Sequence, residues 1–297
     1  MSKIRVAIAG YGNLGKCLER KISAHDEFEL THIFSRRNID HPLRASFEQA
    51  QIVTDVDVLL CALGSYNDLT ENIAVFSKFD TVDCFDDHEN IHNYKLLLQN
   101  TKPDTLSIVS VGWDPGLLSM PRNIFGTFGE VATTWGKGIS MGHTNAVKSI
   151  RGVLDAVQFT VPEENAETKF LLGERDNKKL VKRICYVACV ESDKREVERQ
   201  IREMPDYFDG YTTEVHFVSP RDVRILSANK GHRGTVYGKG DLWQGKFNLK
   251  VADNGLLTAE IMLAFACAVP KLKADGYIGV RDIFDIPLGY VFRKDLL

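Results

Sequence analysis

The chain has 297 residues, 44% of them hydrophobic and 26% charged, which is enough for two domains with buried cores and is ordinary for a cytoplasmic globular protein. A formal net charge of −3 argues against a nucleic-acid partner or an acidic membrane surface, since both call for a basic face. No apolar run approaches the ~20 residues that span a bilayer, and the best candidate, Ile261–Val269, is too short, so no membrane partner is expected.

Taken in chain order, the N-terminus enters a predicted strand, Ile4–Ala9, at once, which leaves no room for a signal peptide. The strand runs into Gly10-Tyr11-Gly12-Asn13-Leu14-Gly15 and then a helix, Leu14–Ala24. This is G-x-G-x-x-G in the strand–turn–helix setting that binds a dinucleotide. The first glycine permits the tight turn, the second lets the backbone approach the pyrophosphate, and the third lets helix and strand pack closely. The helix N-terminus then offers N–H groups and partial positive charge to the phosphates.

The second predicted strand, Glu29–Phe34, ends in Ser35-Arg36-Arg37. An enzyme using NAD usually carries Asp or Glu at this point, for the ribose 2′-hydroxyl. Two guanidiniums and a hydroxyl suit a 2′-phosphate instead, so the expected cofactor is NADP; the competing reading is a solvated basic turn.

A third strand, Val56–Ala62, leads into Ala62-Leu63-Gly64-Ser65 and a helix, Asn67–Phe79. That loop is equally well a ligand contact or an ordinary strand-to-helix turn. A fourth strand, Thr81–Phe85, is followed by Asp86, a helix Ile91–Thr101, and a fifth strand, Leu106–Val111, leading to Asp114 in Gly112-Trp113-Asp114-Pro115-Gly116. Strand–helix alternation of this kind predicts a Rossmann domain, a parallel sheet with helices on both faces, whose strand ends bear the ligand. Asp86 and Asp114 stand at such ends, where two carboxylates suit a substrate ammonium; Asp is also a common turn residue.

His88-Glu89-Asn90-Ile91-His92 matches the zinc-protease pattern H-E-x-x-H. It falls at a helix start with no third ligand evident, so no metal is expected and Asp87 is read as the helix N-cap.

After Gly112 the rhythm changes to long alternating runs, among them Arg183–Val190, Glu214–Val218 and Phe247–Val251, which predict antiparallel strands with one wet face. The expected organisation is a dinucleotide-binding domain over residues 1–113 and a mixed α+β domain over 114–251 for substrate binding and dimerisation. The segment from about 252 to 297, with a helix at Thr258–Ala268 stopped by Pro270, is expected to pack back on the first. Six scattered cysteines without a C-x-x-C pair read as buried thiols of a reducing compartment.

Several motifs occur together and in order: the glycine turn, Phe34-Ser-Arg-Arg37, Thr81-Val-Asp-Cys-Phe-Asp86, Gly112-Trp-Asp-Pro-Gly116, Trp135-Gly-Lys-Gly-Ile-Ser-Met-Gly-His143, Ala156-Val-Gln-Phe-Thr-Val-Pro162 and Met204-Pro-Asp-Tyr-Phe-Asp-Gly-Tyr211. The set, spanning about residues 3 to 265, resembles the meso-diaminopimelate dehydrogenase family. The resemblance implies NADP-dependent, reversible oxidative deamination at the D-centre of meso-2,6-diaminopimelate, giving L-2-amino-6-oxopimelate and ammonia, in a cytoplasmic homodimer. It implies that Asp86 and Asp114 hold the D-centre amino group and orient its α-hydrogen. Trp135 would form a wall with Met141 and Gly142 beside it, Thr160, Arg183 and His232 would meet a carboxylate, and Asn254 would read the L-centre. The implied cofactor contacts also include Cys84, Phe85, Val111, Trp113 and Pro115. The residues alone leave two other readings, a dehydrogenase of another D-amino acid and a non-catalytic NADP-binding regulator.

Overall fold

A computed structural model describes residues 2–292 apart from 66, 88–89, 206 and 229–230. Through Met120 and again from Gly255 the chain belongs to one compact unit, and Pro121–Asn254 form a second.

The first unit opens with strands β1 (Ile4–Ala9), β2 (Phe28–Phe34), β3 (Arg44–Ala45), β4 (Val58–Cys61), β5 (Thr81–Asp83) and β6 (Leu106–Ile108). Helices α1 (Asn13–Ser23), α2 (Asp68–Asn72) and α3 (Ile91–Thr101) connect them, and α4 (Ser119–Phe128) leads onward. The second unit holds β7 (Glu130–Trp135), β8 (Gly138–Ile139), β9 (Val153–Pro162), β10 (Val181–Cys189), β11 (Thr212–Phe217), β12 (His232–Lys239) and β13 (Gln244–Val251). Its helices are α5 (Met141–Lys148), α6 (Ala166–Leu171), α7 (Lys194–Arg202) and α8 (Pro220–Ser227). Helix α9 (Asn254–Ala274) and strand β14 (Gly279–Arg281) follow.

The sheet of the first unit has the order β14-β6-β5-β4-β1-β2-β3, all parallel. Residues of β1 alternate between two cores, as a strand covered on both faces must. Val6 and Ile8 pack with Leu18 and Ile22 of α1 and with Met262, Phe265 and Val269 of α9. Ala7 and Ala9 face Leu69, Ile73 and Phe76 on one side helix and Tyr94 and Leu98 of α3.

Strands β5 and β6 are shorter than the predicted Thr81–Phe85 and Leu106–Val111, because a buried carboxylate takes their next amides. Asp83 Oδ1 accepts the N–H groups of both Phe85 and Ser110, and the chain leaves the ladder there. The expected helix over Asn67–Phe79 is one turn of α-helix followed by a 3₁₀ turn, Ile73–Phe76. The residue capping α3 is Asn90 and not Asp87; Asp87 accepts the Asn90 N–H at 3.3 Å and its Nδ2 at 2.8 Å.

Pro270 does not end the last helix, which runs on to Ala274. Proline removes one N–H bond, but Ala266, Ala268, Val269 and Leu272 are buried on the face the helix presents to the core, and that burial carries the helix past it. At 21 residues and a mean hydropathy of 1.6 it meets the length and composition of a membrane span, longer than the apolar run suggested. Half of that window is buried inside the unit, as in a core helix.

In the second unit β11-β10-β9-β8 form one sheet and β13-β12-β7 another. The expectation of antiparallel pairing throughout fails at β10 and β11, which run parallel from Lys182↔Thr212 to Val187↔Phe217. Helix α7 lies between them in sequence, so the pair is a β–α–β crossover; its buried Val197 and Ile201 pack beside Cys185 and Val187. The other pairs are antiparallel. On β9, Ala156 faces the α5 and α7 core, and Val157 and Phe159 face Val223 of α8.

Candidate nucleotide and substrate sites

The glycine turn is built for close approach. Gly10 has φ +95°, and a Cβ there would stand 2.8 Å from the Ala62 oxygen and from Leu63 Cδ2. A Cβ on Gly15 would meet the Gly10 oxygen at 2.2 Å, so α1 could not seat on the turn. At Gly12, the N-cap of α1, nothing lies within 4 Å of a Cβ, which leaves the backbone open to a bulky anion. No acidic residue occupies the first turn of α1. These features fit a dinucleotide pyrophosphate.

The end of β2 is tied to the same turn: the Gly10 N–H donates to the Phe34 oxygen at 2.9 Å, and Arg37 Nη2 donates to the Tyr11 oxygen at 2.8 Å. Buried Ser35 donates from Oγ to the Arg37 oxygen at 3.1 Å, bending the chain so that both arginines are exposed. Arg36 pairs with Asp68 at 2.6 Å and lies over Phe47, 5.7 Å from the ring centre. Two guanidiniums beside the glycine turn fit a 2′-phosphate.

The loops after β4 and β5 are joined through Ser65 and Asp86. Ser65 Oγ donates to Asp86 Oδ1 at 2.5 Å and accepts the Asp86 N–H at 3.0 Å. The loop after β6 folds on itself: the Gly112 N–H donates to the Pro115 oxygen at 2.9 Å and the Leu118 N–H to the Trp113 oxygen at 2.8 Å. Trp113 and Val111 are buried, and Asp114 is half-buried. Cys84, beside Asp83 and Asp86, has its thiol pushed far up by burial and then by those carboxylates, so it is held as a thiol.

Sequence reasoning missed the network beneath these loops. Asp83 and Lys102 are each 1% exposed. Lys102 Nζ donates to the Phe79 oxygen at 2.7 Å and to Thr81 Oγ1 at 3.1 Å, and burial lowers its pKa to about 8. Burial likewise raises Asp83, against the opposing pull of the Phe85 and Ser110 amides, Tyr94 and Lys102.

In the second unit, Thr160 of β9 and Arg183 of β10 are directly opposite partners, both buried, with Arg183 Nη1 donating to Thr160 Oγ1. The Arg183 guanidinium lies 4.1 Å from the centre of the Tyr211 ring. Burial lowers its pKa, its Nε has no hydrogen-bond partner, and among the described residues no carboxylate is bonded to it. Thr160 is also opposite Gly138 of β8, where a Cβ would stand 2.2 Å from the His232 ring. His232, Thr160 and Arg183 are thus brought together in one row. Trp135 ends β7 opposite Gly234, with Arg122 stacked 5.8 Å from its ring and hydrogen-bonded to Thr133. Met141 and Gly142 are exposed at the start of α5. Asn254 is the first residue of α9.

Two further polar side chains in this unit, His143 of α5 and Gln158 of β9, were not singled out from sequence. His143 Nδ1 bonds Ser140 Oγ at 2.7 Å, while its Nε2 is buried without a partner. Burial, and then the charge of Arg183, lowers His143 to about 3, so its ring is neutral. Gln158, fully buried, leaves both Nε2 and Oε1 unpartnered. The Gln158 N–H donates to Thr144 Oγ1 at 3.0 Å, and its carbonyl accepts from Ser140 at 3.1 Å, which sets it beside His143. Both lie inside the motifs that carried the resemblance. Of the H-E-x-x-H segment, His88 and Glu89 lie outside the described residues, and His92 is exposed on α3.

A glycine turn with paired arginines at a parallel sheet in one unit, and a buried cation held in the other, are the features of a dinucleotide-dependent dehydrogenase. Residues 112–252 match the model of the diaminopimelic acid dehydrogenase C-terminal domain. The chain is 35% identical to meso-diaminopimelate D-dehydrogenase of Ureibacillus thermosphaericus, over 100% of both chains. It is similar to the structure of Corynebacterium glutamicum DAP dehydrogenase in complex with DAP, with TM-score 0.88 and 33% identity over 100% of this chain and 98% of that one. It is also similar to an engineered D-amino acid dehydrogenase bound to NADP+, with TM-score 0.80 and 30% identity over 99% and 98% of the two chains. The chain belongs to the meso-diaminopimelate D-dehydrogenase family.

Proposed function

We propose that the protein catalyses NADP-dependent, reversible oxidative deamination of meso-2,6-diaminopimelate at its D-centre, yielding L-2-amino-6-oxopimelate, ammonia and NADPH, in diaminopimelate and lysine biosynthesis. The observation that carries the reading is the buried Arg183, bonded to Thr160, stacked on Tyr211 and without a bonded carboxylate among the described residues. A cation kept out of water in this way suits a carboxylate ligand.

Bound NADP supplies the hydride acceptor. The protein's share is orientation and charge. The Gly10–Gly15 turn receives the pyrophosphate, and Ser35, Arg36 and Arg37 the 2′-phosphate. The loops Ala62–Ser65, Cys84–Asp86 and Val111–Pro115 complete the cofactor contacts. Asp86 and Asp114 hold the reacting amino group, and Arg183, Thr160 and His232 hold a carboxylate. Neutral His143 and Gln158 add uncharged partners behind it. Trp135, Met141 and Gly142 form the wall, and Asn254 reads the far centre. In this reading residues 1–113 with the segment from 252 onward bind the dinucleotide, and 114–251 bind substrate and dimerise. The active form is a cytoplasmic homodimer; a monomer mass by light scattering would refute that.

The test follows NADPH absorbance with meso-diaminopimelate beside its LL- and DD-isomers, D-alanine and an NAD control. Turnover confined to the meso isomer with NADP is expected. Faster turnover of D-alanine would move the activity to another D-amino acid, and tight NADPH binding with no turnover would leave a binding protein.

A further inference from the structure

We propose that Asp83 is the positioning residue that sets the spacing of Asp86 and Asp114, by clamping the two loops on which they ride. The inference rests on the substrate roles given above to those two aspartates.

The clamp is a single carboxylate at the end of β5. Its Oδ1 accepts the Phe85 N–H and the Ser110 N–H, each at 3.0 Å, and its own carbonyl accepts the Val111 N–H at 2.8 Å. Phe85 immediately precedes Asp86, and Ser110 lies on the loop that leads to Asp114. One oxygen therefore holds an amide from each loop, and moving either loop away leaves a buried donor unpaired. On its other side, Oδ2 accepts the Tyr94 hydroxyl at 2.7 Å. The Tyr94 ring is stacked on Phe85, centroids 4.2 Å apart, so the carboxylate is gripped from both sides.

The backbone bears the mark of this grip. Ser110 has φ +59°, in the left-handed region that a serine seldom occupies unless its surroundings hold it there. Below, the charge of Lys102, whose Nζ donates to Thr81 Oγ1, offsets part of the cost of burying this carboxylate. Function asks such groups to be held by packed, hydrogen-bonded supports, and Asp83 is that support for both loops at once.

The test compares Asp83→Ala, Asp83→Asn and Tyr94→Phe in the full chain, with hydrogen exchange of segments 84–87 and 109–114 as a readout independent of substrate. Asp83→Ala should lose protection in both segments together and lower kcat about 100-fold, the scale of a misplacement of about 1 Å. Asp83→Asn keeps an oxygen that accepts both amides, so protection and kcat should return to within about 10-fold. Tyr94→Phe leaves both loop amides bonded and should keep its kcat even where stability falls. If Asp83→Ala does not fold, Asp83→Glu, which displaces the acceptor by one methylene, should show the same paired loss. Wild-type exchange in both segments, a loss confined to one, or equal losses in the Asn and Ala variants would overturn the proposal. A wild-type protein silent with meso-diaminopimelate would count against the substrate and not the clamp, which the exchange data decide by themselves.

Discussion

Ser65 and Asp86 hold each other across two strand ends, the hydroxyl donating to the carboxylate at 2.5 Å and accepting the Asp86 N–H at 3.0 Å. The pair sits at the open end of the parallel sheet, where Asp86 would otherwise have several exposed rotamers. Ser65→Ala should therefore lower kcat/KM for meso-diaminopimelate about 10-fold, the scale of one lost hydrogen bond to a charged group, with little change in melting temperature. An unchanged kcat/KM would show that Asp86 needs no such restraint.

Arg37 is placed by Ser35 and by the glycine turn, and the proposed function gives it and Arg36 the 2′-phosphate. The double change Arg36→Ala, Arg37→Ala should weaken NADP binding about 10- to 100-fold and NAD binding by less than about 3-fold. Titration of each nucleotide by fluorescence decides it; equal losses would point to a general electrostatic effect.

Arg183→Met removes the buried cation while nearly keeping its length. The expected result is a rise of about 10- to 100-fold in KM for meso-diaminopimelate, with NADPH affinity kept. Arg183→Lys should recover only part of the loss, since an ammonium cannot present the planar fork that Thr160 and Tyr211 hold. Unchanged KM in the Met variant would remove Arg183 from the site.

His143 predicts an acid sensitivity of the second unit. Its folded-state value is about 3, while the unfolded side chain takes a proton near 6.5. Between those values the unfolded state binds more protons, so stability falls as pH drops from about 6.5 towards 3. Urea midpoints measured from about pH 7 down to about pH 4 should decline less steeply in His143→Gln than in wild type. Parallel declines would place the titration elsewhere.

Short-range chemistry made part of this molecule legible in advance. The glycine turn, the arginine pair and the strands that lead towards Asp86 and Asp114 each lie within a few residues, so spacing alone betrays them. The clamp on Asp83 does not, because Tyr94 and Ser110, which bond its carboxylate, and Lys102, whose charge acts on it, come from other elements. His143 and Gln158 were in view as motif letters, but their burial depends on how α5 lies on β9. The parallel run of β10 and β11 was hidden for a similar reason: alternation marks a strand with two unlike faces and says nothing of its direction. Pro270 misled because its local cost was weighed without the core that α9 completes.

That last helix also bears on the order in which the molecule can be made. A ribosome delivers β1 to β6 first, yet the sheet face of Val6, Ile8, Leu60 and Ile108 waits for Met262, Phe265 and Val269, on the far side of the whole second unit. Until then the nascent first unit carries a bare apolar surface, while the second unit has every strand it needs to close its own sheets. The first unit, although it begins the chain, is thus the one that finishes last.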